Sequence, residues 1–112
     1  MQVSCFLIKL RLGSLERARE WARTLSDRKA EVVLTLEDEG VLVESAFLLS
    51  LSDGDYLIYY MRAADLQKAG EIAHRSTHPI DAYHKLFKSE CWEQVTKLEK
   101  LLDADTLGVS GF

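Results

Sequence analysis

Val41-Leu42-Val43-Glu44-Ser45-Ala46-Phe47-Leu48-Leu49-Ser50-Leu51, followed by Ser52-Asp53-Gly54-Asp55 and then Tyr56-Leu57-Ile58-Tyr59-Tyr60-Met61, is the stretch on which the fold turns. Two runs rich in valine, leucine and aromatic residues flank four turn formers. Asp-Gly tolerates the positive φ that tight hairpin turns require, so the pattern predicts antiparallel strands over 41–51 and 56–61. Both strands are apolar on both alternations. Val41, Val43, Phe47 and Leu49 stand against Leu42, Ala46 and Leu48; Tyr56, Ile58 and Tyr60 stand against Leu57, Tyr59 and Met61. An antiparallel sheet covered by helices on one side normally shows polar residues on the other. A sheet apolar on both sides needs a second cover, and the expected cover is another copy of the chain.

Upstream, Gln2–Arg11 reads as a strand, again apolar on both faces. Gly13-Ser14 ends it, and Ser14 is a candidate N-cap for the helix that follows. Leu15, Ala18, Ala22, Leu25, Val32, Val33 and Leu36 recur at three-four spacing, which predicts one helix to about Asp38, kinked at Ser26-Asp27 and closed by Gly40. Downstream, a short helix is expected from about Ala64 to His74. The chain bends at His78-Pro79, because the residue before proline avoids helical geometry. Pro79 opens a new helix to about Val95, and a last short strand is expected near Glu99–Ala104. The order is βαββαβ: an α+β, ferredoxin-like fold with an antiparallel sheet and its second helix split at Pro79. Residues 1–105 are expected to form a single domain and 106–112 a flexible C-terminal tail.

A chain of 112 residues suits one domain and can bury a core without staples. A net charge of −4, with basic and acidic residues interleaved, argues against nucleic acid as a partner. Cys5 and Cys91 are too few for a disulfide framework and read as reduced thiols of a cytoplasmic protein. No basic leader precedes the first strand, and no apolar run reaches the ~18 residues of a membrane helix. No glycine-rich phosphate loop is present, so no nucleotide site is expected.

The segments Val3-Ser4-Cys5-Phe6-Leu7-Ile8-Lys9-Leu10, Glu39-Gly40-Val41-Leu42-Val43-Glu44-Ser45, Gly54-Asp55-Tyr56-Leu57-Ile58-Tyr59-Tyr60-Met61 and His78-Pro79-Ile80-Asp81-Ala82-Tyr83-His84, with Cys91-Trp92, resemble a family of small bacterial proteins with no assigned activity. That family is similar in fold to the dimeric α+β barrels, the superfamily of antibiotic-biosynthesis monooxygenases. The resemblance spans roughly residues 1–105. It implies the fold and a homodimer. The superfamily includes cofactor-independent oxygenases, haem degraders and isomerases, but none of their catalytic motifs matches residue by residue.

The chemistry-bearing residues concentrate in Ser76–Trp92. On a helix from Pro79, Ile80, His84, Phe87, Cys91 and Val95 share one apolar stripe, so His84 faces inward. Burial favours neutral imidazole. His84 is thus a candidate general base beside a pocket, or else a core histidine bonded to a carbonyl or a tyrosine. His78 is a second candidate or a helix cap, and Asp81 either orients a histidine or complements the helix dipole. His74, His78, Asp81 and His84 do not share a face as zinc ligands would, so no metal is expected, and no cofactor. His84 and Cys91 are about 10.5 Å apart along the helix, too far to act as a nucleophilic pair. Tyr59, Tyr83, Trp92 and Cys91 complete the candidates for holding a small-molecule ligand. Two functions stay open: a cofactor-independent oxygenase- or isomerase-type enzyme for a small apolar or aromatic molecule, or a non-catalytic ligand-binding or interaction module.

Overall fold

The computed structural model describes residues 1–107. The elements are β1 (Gln2–Leu10), α1 (Leu15–Asp27), α2 (Lys29–Glu39), β2 (Val41–Leu51), β3 (Gly54–Ala63), α3 (Leu66–Arg75), α4 (Pro79–Cys91) and β4 (Trp92–Lys97). The four strands form one sheet in the order β2-β3-β1-β4, with every neighbouring pair antiparallel. This is the ferredoxin-like α+β arrangement.

The hairpin forms where Asp53-Gly54 sits. Gly54 has φ 147°, a conformation that other residues rarely adopt. Ser50 Oγ donates to Asp55 and Tyr56 Oη to Asp53, both at 2.7 Å, fastening the turn from each side. Gly40 ends α2 in the left-handed region (φ 72°), its N–H bonded to the carbonyls of Glu37 and Leu36.

Cross-strand partners place side chains on common faces. Leu48, Leu57, Ile8 and Val95 form one row towards the helices; Phe47, Ile58, Leu7 and Thr96 form the adjacent row on the open face. The main core joins Ile8, Leu10 and Leu57 of the sheet to Ala18, Trp21, Phe87 and Cys91 of the helices. Phe87 and Ile8 are fully buried, each contributing about 1.5–3 kcal/mol of hydrophobic stabilisation. A smaller cluster of Val41, Ala63 and Ala69 holds α3 to the sheet.

Several boundaries differ from the sequence reading. The long helix is two helices, broken at Arg28 (φ −106°, ψ 33°), whose N–H still bonds the Thr24 carbonyl. The last helix stops at Cys91, and residues 92–97 form β4, so the expected strand at 99–104 lies too far along the chain. The helical spacing of Cys91 and Val95 suggested continuity. The unpaired edge of β1 prevails instead, because it offers this segment a ladder of backbone hydrogen bonds. A register shift between Val41 and Val43 turns Val41 to the helix side, against Ala63, while Val43 stays on the open face. Ser14 occupies the N-cap of α1 without a side-chain bond; Asp65 caps α3 by accepting from the Lys68 N–H. Residues 98–107 continue without regular structure, held by two ion pairs from buried Arg62, to Asp103 (2.6 Å) and Asp105 (2.7 Å). Of the tail expected at 106–112, residues 108–112 lie outside the described residues.

Candidate functional site

Between the sheet and helices α2, α3 and α4 lies a cavity of about 630 Å³. That is within the range of small-molecule sites. Its floor is Ser4, Phe6 and Ile8 of β1 with Tyr59 and Met61 of β3. Glu44 of β2 stands at one edge, Trp92 and Lys97 of β4 at the other. Asp81, His84, Lys85 and Lys88 of α4 form the roof, since 81/84/85/88 spacing keeps them on one helix face.

His84 sits within an aromatic cluster. Its ring centroid is 5.6 Å from Trp21, 6.1 Å from Tyr59 and 6.2 Å from Trp92. Trp21, itself stacked on Phe87 at 4.7 Å, donates its indole N–H to His84 Nδ1 at 3.1 Å. Indole nitrogen can only donate, so Nδ1 is unprotonated and the imidazole proton resides on Nε2. Burial, helped by Lys88, pushes the imidazole pKa down to about 4. His84 is therefore neutral near pH 7 and offers an N–H donor. The general-base reading of His84 does not suit this arrangement, because its basic nitrogen is already occupied.

The basic group is elsewhere. Tyr59 Oη donates to Glu44 Oε1, and the second carboxylate oxygen has no hydrogen-bond partner among the described residues. Burial raises the Glu44 pKa, while the Tyr59 bond and Lys88 counter it. The Tyr59 phenol is pushed well up by burial and by Glu44, so it stays protonated. Glu39 is raised to about 7, chiefly by burial and then by Asp81 and Glu44. The Lys88 ammonium lies 4.8 Å from the Trp92 ring centroid. Burial lowers its pKa against the pull of Glu44.

A second hollow, about 260 Å³, adjoins the first through Thr35, Glu39 and Asp81. Here His78 occupies the N-cap of α4 without capping it and meets Asp38 at 2.8 Å. Ser76 Oγ donates to Asp81 and accepts from the His78 N–H at 3.2 Å. Among the described residues no three His, Cys, Asp or Glu side chains are grouped to hold a metal ion.

Of the residues proposed from sequence, the cavity brings together His84, Asp81, Tyr59 and Trp92. His78 lies in the adjoining hollow. Tyr83 packs beside the core and donates to Thr24 Oγ1 at 3.4 Å; Cys91 is a buried free thiol of the core. Neither lines the cavity. The sequence reading passed over Glu44, Lys88 and Glu39. Glu44 had a signal: it is the single charge inside an eleven-residue apolar strand, on the alternation that faces the helices.

The fold is a ferredoxin-like α+β sheet with a ligand-sized cavity beneath its helices. The chain belongs to the family of unknown function DUF6176, which it matches over residues 1–108. No curated protein matches it. The solved structures that share its fold include the following two. L-rhamnose mutarotase FA22100 from Formosa agariphila superposes with a TM-score of 0.62 at 15% identity, covering 94% of this chain and 100% of that one. Rv0793 from Mycobacterium tuberculosis superposes with a TM-score of 0.52 at 19% identity, covering 92% and 97%.

Proposed function

We propose that this protein is a cofactor-independent enzyme of the isomerase type, moving a proton on a small, partly apolar molecule held in the larger cavity. The observation that carries this reading is the Glu44–Tyr59 pair in a cavity that also holds His84 with its proton on Nε2. Glu44 takes a proton from a carbon beside a carbonyl. The C–H electron pair becomes the enolate double bond, and the carbonyl oxygen takes up the charge. His84 Nε2–H donates to that oxygen, as a preorganised donor is most useful where charge develops. Glu44 then returns the proton to the enolate at a new position or face. Asp81 lines the wall that Glu39 shares. The same fold carries a protein named as a mutarotase, which is compatible with isomerase chemistry on this scaffold.

Exchange of carbon-bound hydrogen tests the reading. A panel of small ketones and hydroxyaldehydes incubated with protein in D₂O, followed by proton NMR, should show protein-dependent deuterium uptake. Glu44→Gln should slow it by about 10²–10⁴-fold, the usual worth of a general base. Equal exchange with and without the carboxylate rejects the proposal. The second reading, a non-catalytic small-ligand-binding module, keeps the cavity without the chemistry; the apolar floor of Phe6, Ile8 and Met61 favours it.

The same reading has the protein as a homodimer in the cytoplasm, with residues 1–105 as one domain. Support for the dimer lies in the open sheet face. Val43 and Phe47 are 39% and 60% exposed there, in line with Cys5, Leu7 and Ile58 on neighbouring strands. The radius of gyration is 15.0 Å, against about 13 Å for a compact chain of this length. Support for a reducing compartment is the two free thiols. No helix among the described residues is long and apolar enough to cross a membrane.

A further inference from the structure

The charges around the larger cavity are sorted by end. Glu44 projects from edge strand β2 and Lys97 from edge strand β4, on the same face of the sheet. Three strand spacings, about 14 Å, separate those edges. On the roof, Asp81 is in the first turn of α4 and Lys88 seven residues on, about 10.5 Å along the axis. Glu39, Glu44 and Asp81 sit close enough to interact electrostatically, marking one end as acidic. Lys88, over Trp92, and Lys97, five residues further along β4, mark the opposite, β4 side. Lys85, also on the wall, spends its ammonium on the His74 carbonyl at 3.1 Å.

Among the described residues the basic side has no contacting counter-charge; Glu44 acts on Lys88 only through space. Among the described residues neither Lys88 nor Lys97 forms an ion pair, whereas Lys9 and Arg17 each have one. Beside Lys88, the indole N–H of Trp92 is buried with no acceptor among the described residues. A buried donor left unpaired costs about 1–3 kcal/mol, a penalty relieved when a small shift of the ring brings it an oxygen. Two unpaired ammonium groups, an orphaned N–H and an aromatic shelf call for a ligand bearing negatively charged oxygens next to an apolar body.

We propose that this lysine end receives the carboxylate of the substrate, so that the compound undergoing proton transfer at Glu44 is a small organic acid. Its role as substrate rests on the proton-transfer reading; the anion subsite does not. The ligand lies across the sheet, with its carboxylate at Lys88 and Trp92, its apolar portion over Phe6 and Ile8, and its reacting carbon towards Glu44.

The test compares phenylacetate with phenylacetamide, which match in shape and differ in charge, by titration calorimetry on the full chain. Phenylacetate should bind at least about tenfold tighter, the effect of one well-placed charged hydrogen bond. Lys88→Met keeps the aliphatic stem over Trp92 and should bring the two ligands to within about twofold. Lys97→Met, on an exposed strand edge, is the companion variant should Lys88→Met melt early, and it should also reduce the preference. Equal binding of the two probes by the unmodified protein, binding of neither, or a preference unchanged in both lysine variants overturns the proposal. Glu44→Gln should retain the carboxylate preference. Loss of the preference in the lysine variants, alongside deuterium exchange unaffected by Glu44→Gln, would leave the anion subsite standing and remove the proton-transfer reading.

Discussion

Trp21 donates its indole N–H to His84 Nδ1 across 3.1 Å, joining α1 to α4 through residues 63 positions apart in sequence. The bond serves both packing and chemistry. It satisfies an indole that is 4% exposed, and it holds the histidine proton on Nε2. His84→Leu leaves the Trp21 N–H without an acceptor. We expect a loss of about 1–3 kcal/mol, read as a melting temperature lower by several degrees. A variant as stable as the parent would show that the bond contributes nothing net.

The same bond predicts a spectroscopic state. His84 should remain the neutral Nε2–H tautomer at neutral pH and titrate near its depressed value of about 4. Nitrogen chemical shifts of the ring followed against pH report this directly. The unfolded chain takes up this proton at the ordinary histidine pKa of about 6.5, above the folded value. His84 therefore contributes stability that is complete above about pH 6.5 and is lost as pH falls towards 4.

Glu39 acts in the opposite sense. Its folded pKa of about 7 exceeds its ordinary 4.5, so the folded protein holds the extra proton between those values. Stability from this group is full below about pH 4.5 and is lost as pH rises to 7. Glu39→Gln mimics the protonated form. It should raise the melting temperature at about pH 8 and leave it unchanged at about pH 4. A variant that melts lower at the alkaline end would mean that Glu39 has a favourable ionic partner.

How much of this could be read from the chain alone divides by range of interaction. The hairpin was legible because Asp53-Gly54 is a local signal, and the helix end at Gly40 was legible for the same reason. The inward orientation of His84 followed from helical periodicity. The end of α4 was not legible: Trp92–Lys97 could extend a helix locally, and only pairing with β1 makes it a strand. The partner of His84 was not legible either, since no local rule brings Trp21 to it. Glu44 becomes a cavity residue only when opposite edges of the sheet are brought together, so no local pattern joins it to Tyr59 or to the His78–Trp92 run.

Arg62 predicts a local effect on the segment after β4. The residue is 6% exposed, and its guanidinium serves Tyr60 Oη at 3.2 Å as well as Asp103 and Asp105. Arg62→Met keeps most of the stem and removes every charged bond. Each such bond contributes about 1.5–3 kcal/mol at most, so residues 98–107 should become the first site of limited proteolysis, before the sheet is cut. A cleavage pattern identical to that of the parent would show that Arg62 does not restrain the segment.

Phe47 tests the second cover of the sheet. It is 60% exposed in a row with Ile58 and Leu7, on the face the helices leave open. A stable protein interface buries about 800 Å² per partner, and an apolar sheet face is the surface here that can supply it. Light scattering of the parent at micromolar concentration should give about twice the 12.7 kDa chain mass. Phe47→Asp places a carboxylate on that face, where desolvating it in a dimer costs several kcal/mol, while the solvated monomer tolerates it. The variant should therefore scatter as a single chain and keep its far-ultraviolet dichroism. A parent that is monomeric, or a variant that stays dimeric, would place the contact elsewhere or remove it.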